Sequence, residues 1–308
     1  MTSEFRAGFV SFVGRPNVGK STLTNALVGE KIAITSDKPQ TTRKAIRGIV
    51  HLPQGQLIIV DTPGLHRPRT LLGQRLNDLV ASTLSEVDVI GMCFPAGDKI
   101  GPGDRFINDQ LGDFRRAKLV AIVTKSETVS REALANQLME VSQLRDWAQI
   151  IPVSAIAGQQ LSELTNLLLD LMPQSPELYP KDVNTDESTE SRICELIREA
   201  ALEGVRHELP HSLAVTMDEM QKRENSDLID IHANIFVERD SQKGIVLGKG
   251  GERLKDVGTR SRKEIEALLG SKVFLSLRVK IAHEWQRDPK QLGCLLYTSP
   301  SPRDRTRS

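Results

Sequence analysis

An apolar run, GFVSFV at residues 8–13, passes directly into GRPNVGKST, which in turn opens the helical pattern KSTLTNALVG. A strand that runs into a glycine-spaced loop and restarts as a helix begins an alternation of strands and helices. The sequence keeps that rhythm up to residue 173. Short β-rich runs at 45–52, 56–61, 88–94, 118–124 and 148–154 alternate with amphipathic stretches such as LGQRLNDLVASTLSEV and REALANQLMEVSQLRDW. The alternation predicts an α/β fold with a doubly wound sheet covered by helices on both faces, and ligands at the carboxyl ends of its strands.

The first of those strand ends has the GxxxxGK[ST] spacing of a phosphate-binding loop. Backbone N–H groups from Gly14 through Asn17 and Val18 to Gly19 can surround a phosphate at the positive end of a helix. Lys20 is expected to reach the β- and γ-phosphates, and Ser21, followed by Thr22, to hold Mg²⁺. VDTPG at 60–64 ends another strand. Asp61 there suits Mg²⁺ through water, and the Gly64 N–H suits a γ-phosphate, with Thr62 and Pro63 in the same contact set. Taken alone, this motif is also an ordinary Pro-Gly turn. Between the two lies KPQTTRK (38–44), in which Thr42 is the better candidate for a γ-phosphate sensor on Mg²⁺ and Thr41 the alternative. Lys20, Thr42 and Gly64 are therefore the expected catalytic groups, and Ser21, Thr42 and Asp61 the expected metal set.

The stretch LVAIVTKSET (119–128) ends a later strand, where a bound base would lie. A carboxylate at Glu127 can accept hydrogen bonds from guanine N1–H and its 2-amino group, neither of which adenine offers. Lys125 can lay its alkyl stem along the base plane. Thr124 lacks the amide that an Asn would bring. In PVSA (152–155), Ser154 closes the strand and the Ala155 N–H can donate to guanine O6. TKSE reads as a weakened guanine reader, with GTP and GDP as the ligands.

At 308 residues, 39% of them hydrophobic, the chain has room for two domains. No apolar run approaches a membrane span and the N-terminus has no signal-peptide core, so a cytoplasmic protein is expected. Cys93, Cys194 and Cys294 are widely spaced with no paired CxxC, the pattern of reduced thiols. A net charge of +1 hides an asymmetry: residues 174–238 carry 6 Lys+Arg against 15 Asp+Glu, and residues 239–263 carry 8 against 3. A basic block of this kind is usually a solvated face, but it also suits nucleic-acid phosphates.

The Pro-rich, acidic segment at 174–188 reads as a linker after a first domain at 1–173. A helix follows, with Ser188, Thr189 and Ser191 as candidate caps. Two strands come next, then GIVLGKGGERLKDVG, a helix and a last strand, giving α-β-β-α-α-β over 189–293. In GKGG, Gly248 and Gly251 leave room for a nucleic-acid backbone, with Lys249, Gly250, Arg253 and Lys255 beside it as RNA contacts. The final stretch CLLYTSPSPRDRTRS (294–308) has no periodic pattern and is excluded from the expected fold.

With GRPNVGKSTLTNALVG, PQTTR, DTPGLH, TKSE, VSA and GKGG in this order, the chain resembles the Ras-like GTPases of bacterial ribosome assembly over roughly residues 5 to 293. The resemblance implies a GTPase domain followed by a C-terminal KH domain of the bacterial type (type II). It also implies 16S ribosomal RNA as partner, near its 3′ end, a role in maturation of the 30S subunit, and peripheral contact with the inner face of the cell membrane. Nothing in the sequence calls for more than a monomer. Two features bear on hydrolysis. Leu65 follows Gly64 where Ras-type enzymes carry a water-orienting Gln, so the intrinsic rate is expected to be slow. Asn17 matches the position that, in related potassium-activated GTPases, helps hold K⁺ beside the phosphates. A nucleotide-gated assembly factor whose hydrolysis is incidental is the competing reading, and a GTPase of transfer-RNA modification is a third, for which no catalytic Cys or cofactor domain is visible.

Overall fold

The computed structural model describes residues 5–36, 41–65, 70–205, 209–224 and 226–296. The chain forms two compact units that part between Glu187 and Ser188, apart from Thr70–Leu72, which group with the second. The first is built on β1 (Arg6–Val13), β2 (Ile46–Leu52), β3 (Gly55–Asp61), β4 (Val89–Pro95), β5 (Lys118–Thr124) and β6 (Gln149–Pro152). Their order across the sheet is β2-β3-β1-β4-β5-β6. All pairs are parallel except β2 with β3, which are joined through only Pro53 and Gln54, too short a connection for a crossover.

Helices α1 (Lys20–Val28), α2 (Leu71–Glu86), α3 (Pro102–Gln110), α4 (Arg131–Ser142) and α5 (Leu161–Leu171) cover this sheet. Because side chains alternate along each strand, the two faces make two cores. Val10, Phe12, Leu57, Ile59 and Ile122 pack with Leu23 of α1 and Leu164 and Leu168 of α5. Val13, Val60, Ile90, Met92 and Val123 pack with Val80 and Leu84 of α2, Ile107 of α3 and Val141 of α4. Every residue of β3 and β4 is buried, as strands covered on both sides require. The start of α3, GPGD, has turn chemistry in sequence. It nucleates a helix because Asp104 accepts the Gly101 N–H at 2.9 Å and Pro102 sits where a helix needs no donor.

The segment expected as a linker at 174–188 belongs, as far as Glu187, to the first unit, which corrects that expectation. Preceded by Pro173 and carrying Pro176 and Pro180, it runs alongside β2 and β3 and makes one turn, in which the Val183 N–H donates to Pro180 O at 3.1 Å. The Ile49 N–H donates to Asn184 O at 2.9 Å, and Thr185 Oγ1 donates to Arg47 O at 2.7 Å. Buried Gln56 accepts the N–H groups of Leu178 and Tyr179 at 2.8 and 3.1 Å and donates to Tyr179 O at 2.6 Å. Lys44–Glu187 and Arg47–Asp186 ion pairs, at 2.8 and 2.9 Å, fasten its far end.

The second unit runs α6 (Thr189–Leu202), the single turn α7 (Leu209–Ser212), β7 (Ala214–Lys222), β8 (Ile229–Val237), α8 (Asp240–Leu247), α9 (Glu252–Leu269), β9 (Val273–Ile281) and α10 (Pro289–Leu296). Of the three candidate caps, Ser188 is the one used: its Oγ accepts the Ser191 N–H at 3.2 Å. The sheet order is β7-β8-β9, with β7 antiparallel and β9 parallel to β8, so α8 and α9 form the crossover between the parallel pair. Helix α10 carries Cys294 and Leu295 within it, so the boundary expected at 293 cuts a helix whose Leu292 is fully buried. The rest of the expected tail, 297–308, lies outside the described residues.

Candidate functional site

Helix α1 begins at Lys20, immediately after the glycine loop. The Lys20 side chain is buried, and its Nζ donates to Gly14 O at 3.1 Å and Arg15 O at 2.9 Å. Beside it three expected metal residues from three separate segments meet. Ser21 Oγ donates to Asp61 Oδ2 at 2.8 Å, Thr42 Oγ1 donates to the same oxygen at 3.2 Å, and the two hydroxyls are 3.2 Å apart. Thr42, rather than Thr41, is thus the threonine in the cluster. The DTPG turn packs against the loop: a Cβ on Gly64 would stand 3.4 Å from Lys20 Nζ and 3.6 Å from Gly14 O. Thr22 is half-buried on α1 and Pro63 is buried. Thr62 turns inward, with Oγ1 3.5 Å from Ser11 Oγ in the sheet, and so supports the turn.

The electrostatics of this cluster call for an outside partner. Burial pushes the Lys20 ammonium below its ordinary value, while the nearby Cys93 and Asp61 act the other way. Burial also pushes the Asp61 carboxyl up, against the Ser21 hydrogen bond, the Lys20 charge and the Thr42 hydrogen bond. Asp61 Oδ1 is buried without a hydrogen-bond partner, an acceptor that a metal-bound water would satisfy. One carboxylate and two hydroxyls are hard oxygen donors of the kind Mg²⁺ takes when phosphates and water complete its octahedron. Among the described residues no cluster of three or more His, Cys, Asp or Glu forms an all-protein metal site. The residues present fit a Mg²⁺–polyphosphate.

At the end of β5, Thr124 is buried and its Oγ1 donates to Val18 O at 2.6 Å, with Phe94 O at 3.4 Å. Expected among the base readers, Thr124 instead braces the phosphate loop from below. Lys125, in the left-handed region at φ 56°, donates from Nζ to Asn17 O at 2.8 Å, and its Cε lies 4.0 Å from where a Gly19 Cβ would be. Its stem therefore runs over the loop toward exposed Asn17. Glu127 is exposed in the 3-10 turn Ser126–Thr128. Buried Ser154 exchanges backbone hydrogen bonds of 3.1 and 3.0 Å with Gln159, and its Oγ accepts the Ala157 N–H at 3.0 Å, closing the loop that carries Ala155. Leu65 is buried in the core with Val80 and Leu84 and does not reach the site.

In the second unit GKGG joins α8 to α9. Gly248 has φ 73°, and a Cβ there would come within 2.7 Å of Arg253 Cβ; Gly250 and Gly251 also have positive φ, at 59° and 83°. Lys249, Gly250 and Lys255 are exposed. Arg253, expected as an RNA contact, is turned inward. Its Nη2 donates to Ala201 O at 3.1 Å and Glu203 O at 2.8 Å, supplying the last carbonyls of α6, which have no intrahelical partners. Arg260 is likewise paired with Glu203 and Asp256. Ile245, on α8 three residues before the loop and 51% exposed, adds an apolar surface that the charge pattern did not reveal. Its signal in sequence was an apolar residue off the buried stripe of a short helix.

Comparison with known proteins agrees with this geometry. Residues 9–126 match the family described as 50S ribosome-binding GTPase, and residues 208–286 match the KH domain family. The chain is 64% identical to GTPase Era of Mycolicibacterium smegmatis, over 95% of this chain and 99% of that protein. It is 60% identical to GTPase Era of Streptomyces coelicolor, over 93% of each. Among solved structures it resembles Era in complex with MgGDPNP and nucleotides 1506–1542 of 16S ribosomal RNA, with a TM-score of 0.91, 33% identity, and 94% and 98% of the two chains covered. It resembles a single-residue variant of Aquifex aeolicus Era bound to GDP·AlF4⁻ with the same TM-score, 32% identity, and 94% and 99% covered.

Proposed function

The chain belongs to the Era family of GTPases, and we propose that it couples GTP binding and hydrolysis in its first unit to binding of 16S ribosomal RNA in its second, in support of 30S subunit assembly. The observation that carries this reading is the Ser21–Thr42–Asp61 cluster beside buried Lys20. Lys20 neutralises the β- and γ-phosphates, Ser21 and Thr42 would hold Mg²⁺, Asp61 would hold it through water, and the Gly64 N–H meets a γ-phosphate oxygen. When bound, Mg²⁺ would supply positive charge to the phosphate oxygens. With Leu65 in the core, no side chain at that position orients water, so intrinsic hydrolysis is slow. Asn17 would hold K⁺, which would supply positive charge beside the phosphates. Glu127, the Lys125 stem and the Ala155 N–H select guanine.

Lys249, Gly250, Gly251 and Lys255 meet the RNA backbone. A short route favours coupling between the units: Thr42 lies two residues from Lys44, Lys44 pairs with Glu187, and the next residue, Ser188, caps α6. The protein acts as a monomer in the cytoplasm, with 1–187 as the nucleotide unit, and touches the membrane's inner face only peripherally. No described helix is long and apolar enough to cross a membrane. Multiple-turnover GTP hydrolysis with and without a 16S 3′-end RNA, alongside RNA titrations in GTP analogue and in GDP, tests the reading. RNA affinity that is identical in both nucleotide states, with turnover indifferent to RNA, would leave only two unconnected binding units.

A further inference from the structure

Besides Lys20, the phosphate loop carries one other charged side chain, Arg15, and it turns toward α3. Arg15 Nε donates to Asp104 Oδ1 at 2.8 Å, and Nη2 donates to Asp98 Oδ2 at 3.2 Å. The two carboxylates differ in setting. The Asp104 side chain is 1% exposed and that of Asp98 58%. The second Asp104 oxygen accepts the Gly101 N–H at 2.9 Å, so this carboxylate starts α3 and holds Arg15 at once. The Arg15 stem crosses the helix at Gly103, where a Cβ would stand 2.9 Å from Arg15 Cδ and 3.3 Å from Cγ.

We propose that Arg15 and Asp104 are positioning residues for GTP turnover: the first turn of α3 clamps the Arg15 side chain and so fixes the Arg15 carbonyl that holds the Lys20 ammonium. The backbone explains why a clamp is needed. Pro16 restricts Arg15 from one side, but Gly14, at φ 152°, leaves the Gly14–Arg15 peptide free to swing on the other. Two of the oxygens around Lys20 Nζ are the carbonyls of these two residues. A swing of that peptide would turn the Gly14 carbonyl away, drag Arg15 and its own carbonyl with it, and move the ammonium from the phosphates. The exposed Asp98 pair is screened by water and adds little.

The inference rests on Lys20 being the phosphate ligand, and the test separates the two ideas. In the full chain, GTP turnover, GDP release and thermal midpoint are measured for Arg15→Met, Asp104→Asn, Asp98→Asn, Gly103→Ala, the double variant Arg15→Met/Asp104→Asn, and Lys20→Ala. Arg15→Met and Asp104→Asn should lower kcat/KM on the order of ten- to hundredfold, the scale of a misplaced catalytic group, and speed GDP release. Asp98→Asn should stay within about twofold of the parent, as a mostly exposed ion pair implies. Gly103→Ala removes no charge and favours the helix, yet pushes the Arg15 stem aside, so turnover should fall without the chain losing its fold. The double variant removes both charges of this partly buried pair, so neither is left without its partner, and the amide still accepts the Gly101 N–H; the thermal midpoint should recover while turnover stays low. Turnover that recovers along with the midpoint makes the pair merely structural and overturns the proposal, as does an Asp98→Asn loss equal to that of Asp104→Asn. If Lys20→Ala keeps tight nucleotide binding, the phosphate site itself is misassigned, an outcome distinct from failure of the clamp.

Discussion

Replacing Thr124 by Val keeps its shape and removes one donor. Thr124 Oγ1 bridges the end of β5 to the Val18 carbonyl in the phosphate loop at 2.6 Å, with Phe94 O at 3.4 Å, in a site that is 4% exposed. Water cannot take over, so the substitution leaves a buried carbonyl without a donor, at a cost of about 1–3 kcal/mol. The bond biases the loop toward the shape that receives phosphates. Its loss lowers the population of that shape, and apparent affinity falls with the population. At ~1.4 kcal/mol per tenfold, the limit is a rise in the GDP Kd of roughly fivefold to 150-fold. Thr124→Ser keeps the hydroxyl and should stay close to the parent. Titration with a fluorescent GDP analogue, with thermal midpoints run alongside, measures both. If Val and Ser bind GDP equally well, the hydroxyl does not organise the loop and the bracing role is wrong.

Base selection should favour GDP over ADP in the parent, and Thr124→Asn with Glu127→Asp should tighten GDP, because the amide can keep the bridge to Val18 while the shorter carboxylate meets the base directly; equal GDP and ADP affinities in the parent would sink Glu127 as reader. Exchanging K⁺ for Na⁺ should slow steady-state hydrolysis if Asn17 holds the monovalent ion, and equal rates in the two salts would remove that ion from the site. Lys249→Asp with Gly250→Asp should leave the fold and GTP binding intact, since Lys249 is exposed and a Cβ on Gly250 meets nothing within 4 Å. RNA affinity should drop sharply and flatten in its dependence on salt, as phosphate neutralisation supplies that slope; filter binding at two salt concentrations decides it, and unchanged affinity would make GKGG only a turn.

Local chemistry is legible in the sequence; contacts between distant segments are not. The phosphate loop and DTPG can be placed because each is a short motif next to a strand whose pattern is plain. Sequence does not decide between Thr41 and Thr42, since one step along an irregular loop reverses a side chain. Thr124 reads as a base contact because its neighbours do; its partner, the Val18 carbonyl, is 106 residues away and leaves no mark on composition. Arg253 looks like part of a basic patch, but charge counts do not register the open carbonyls of α6 that claim it. Prolines and acids at 174–187 have linker composition, while the contacts that hold the segment, such as the buried amide of Gln56, come from over 120 residues away.

That held segment changes what an isolated nucleotide domain would be. Strand β2 is one of the two outermost strands of its sheet, and an outermost strand with free N–H and C=O groups is a template for pairing with another chain. Asn184 and Thr185 occupy that position at Ile49, Gly48 and Arg47. A chain stopped at Pro173 would uncover it and strip Gln56 of its partners at Leu178 and Tyr179. Such a fragment should self-associate with rising concentration in sedimentation runs, whereas one ending at Glu187 should stay monomeric. The fourteen residues that read as a linker in sequence thus double as the cover of an open sheet edge.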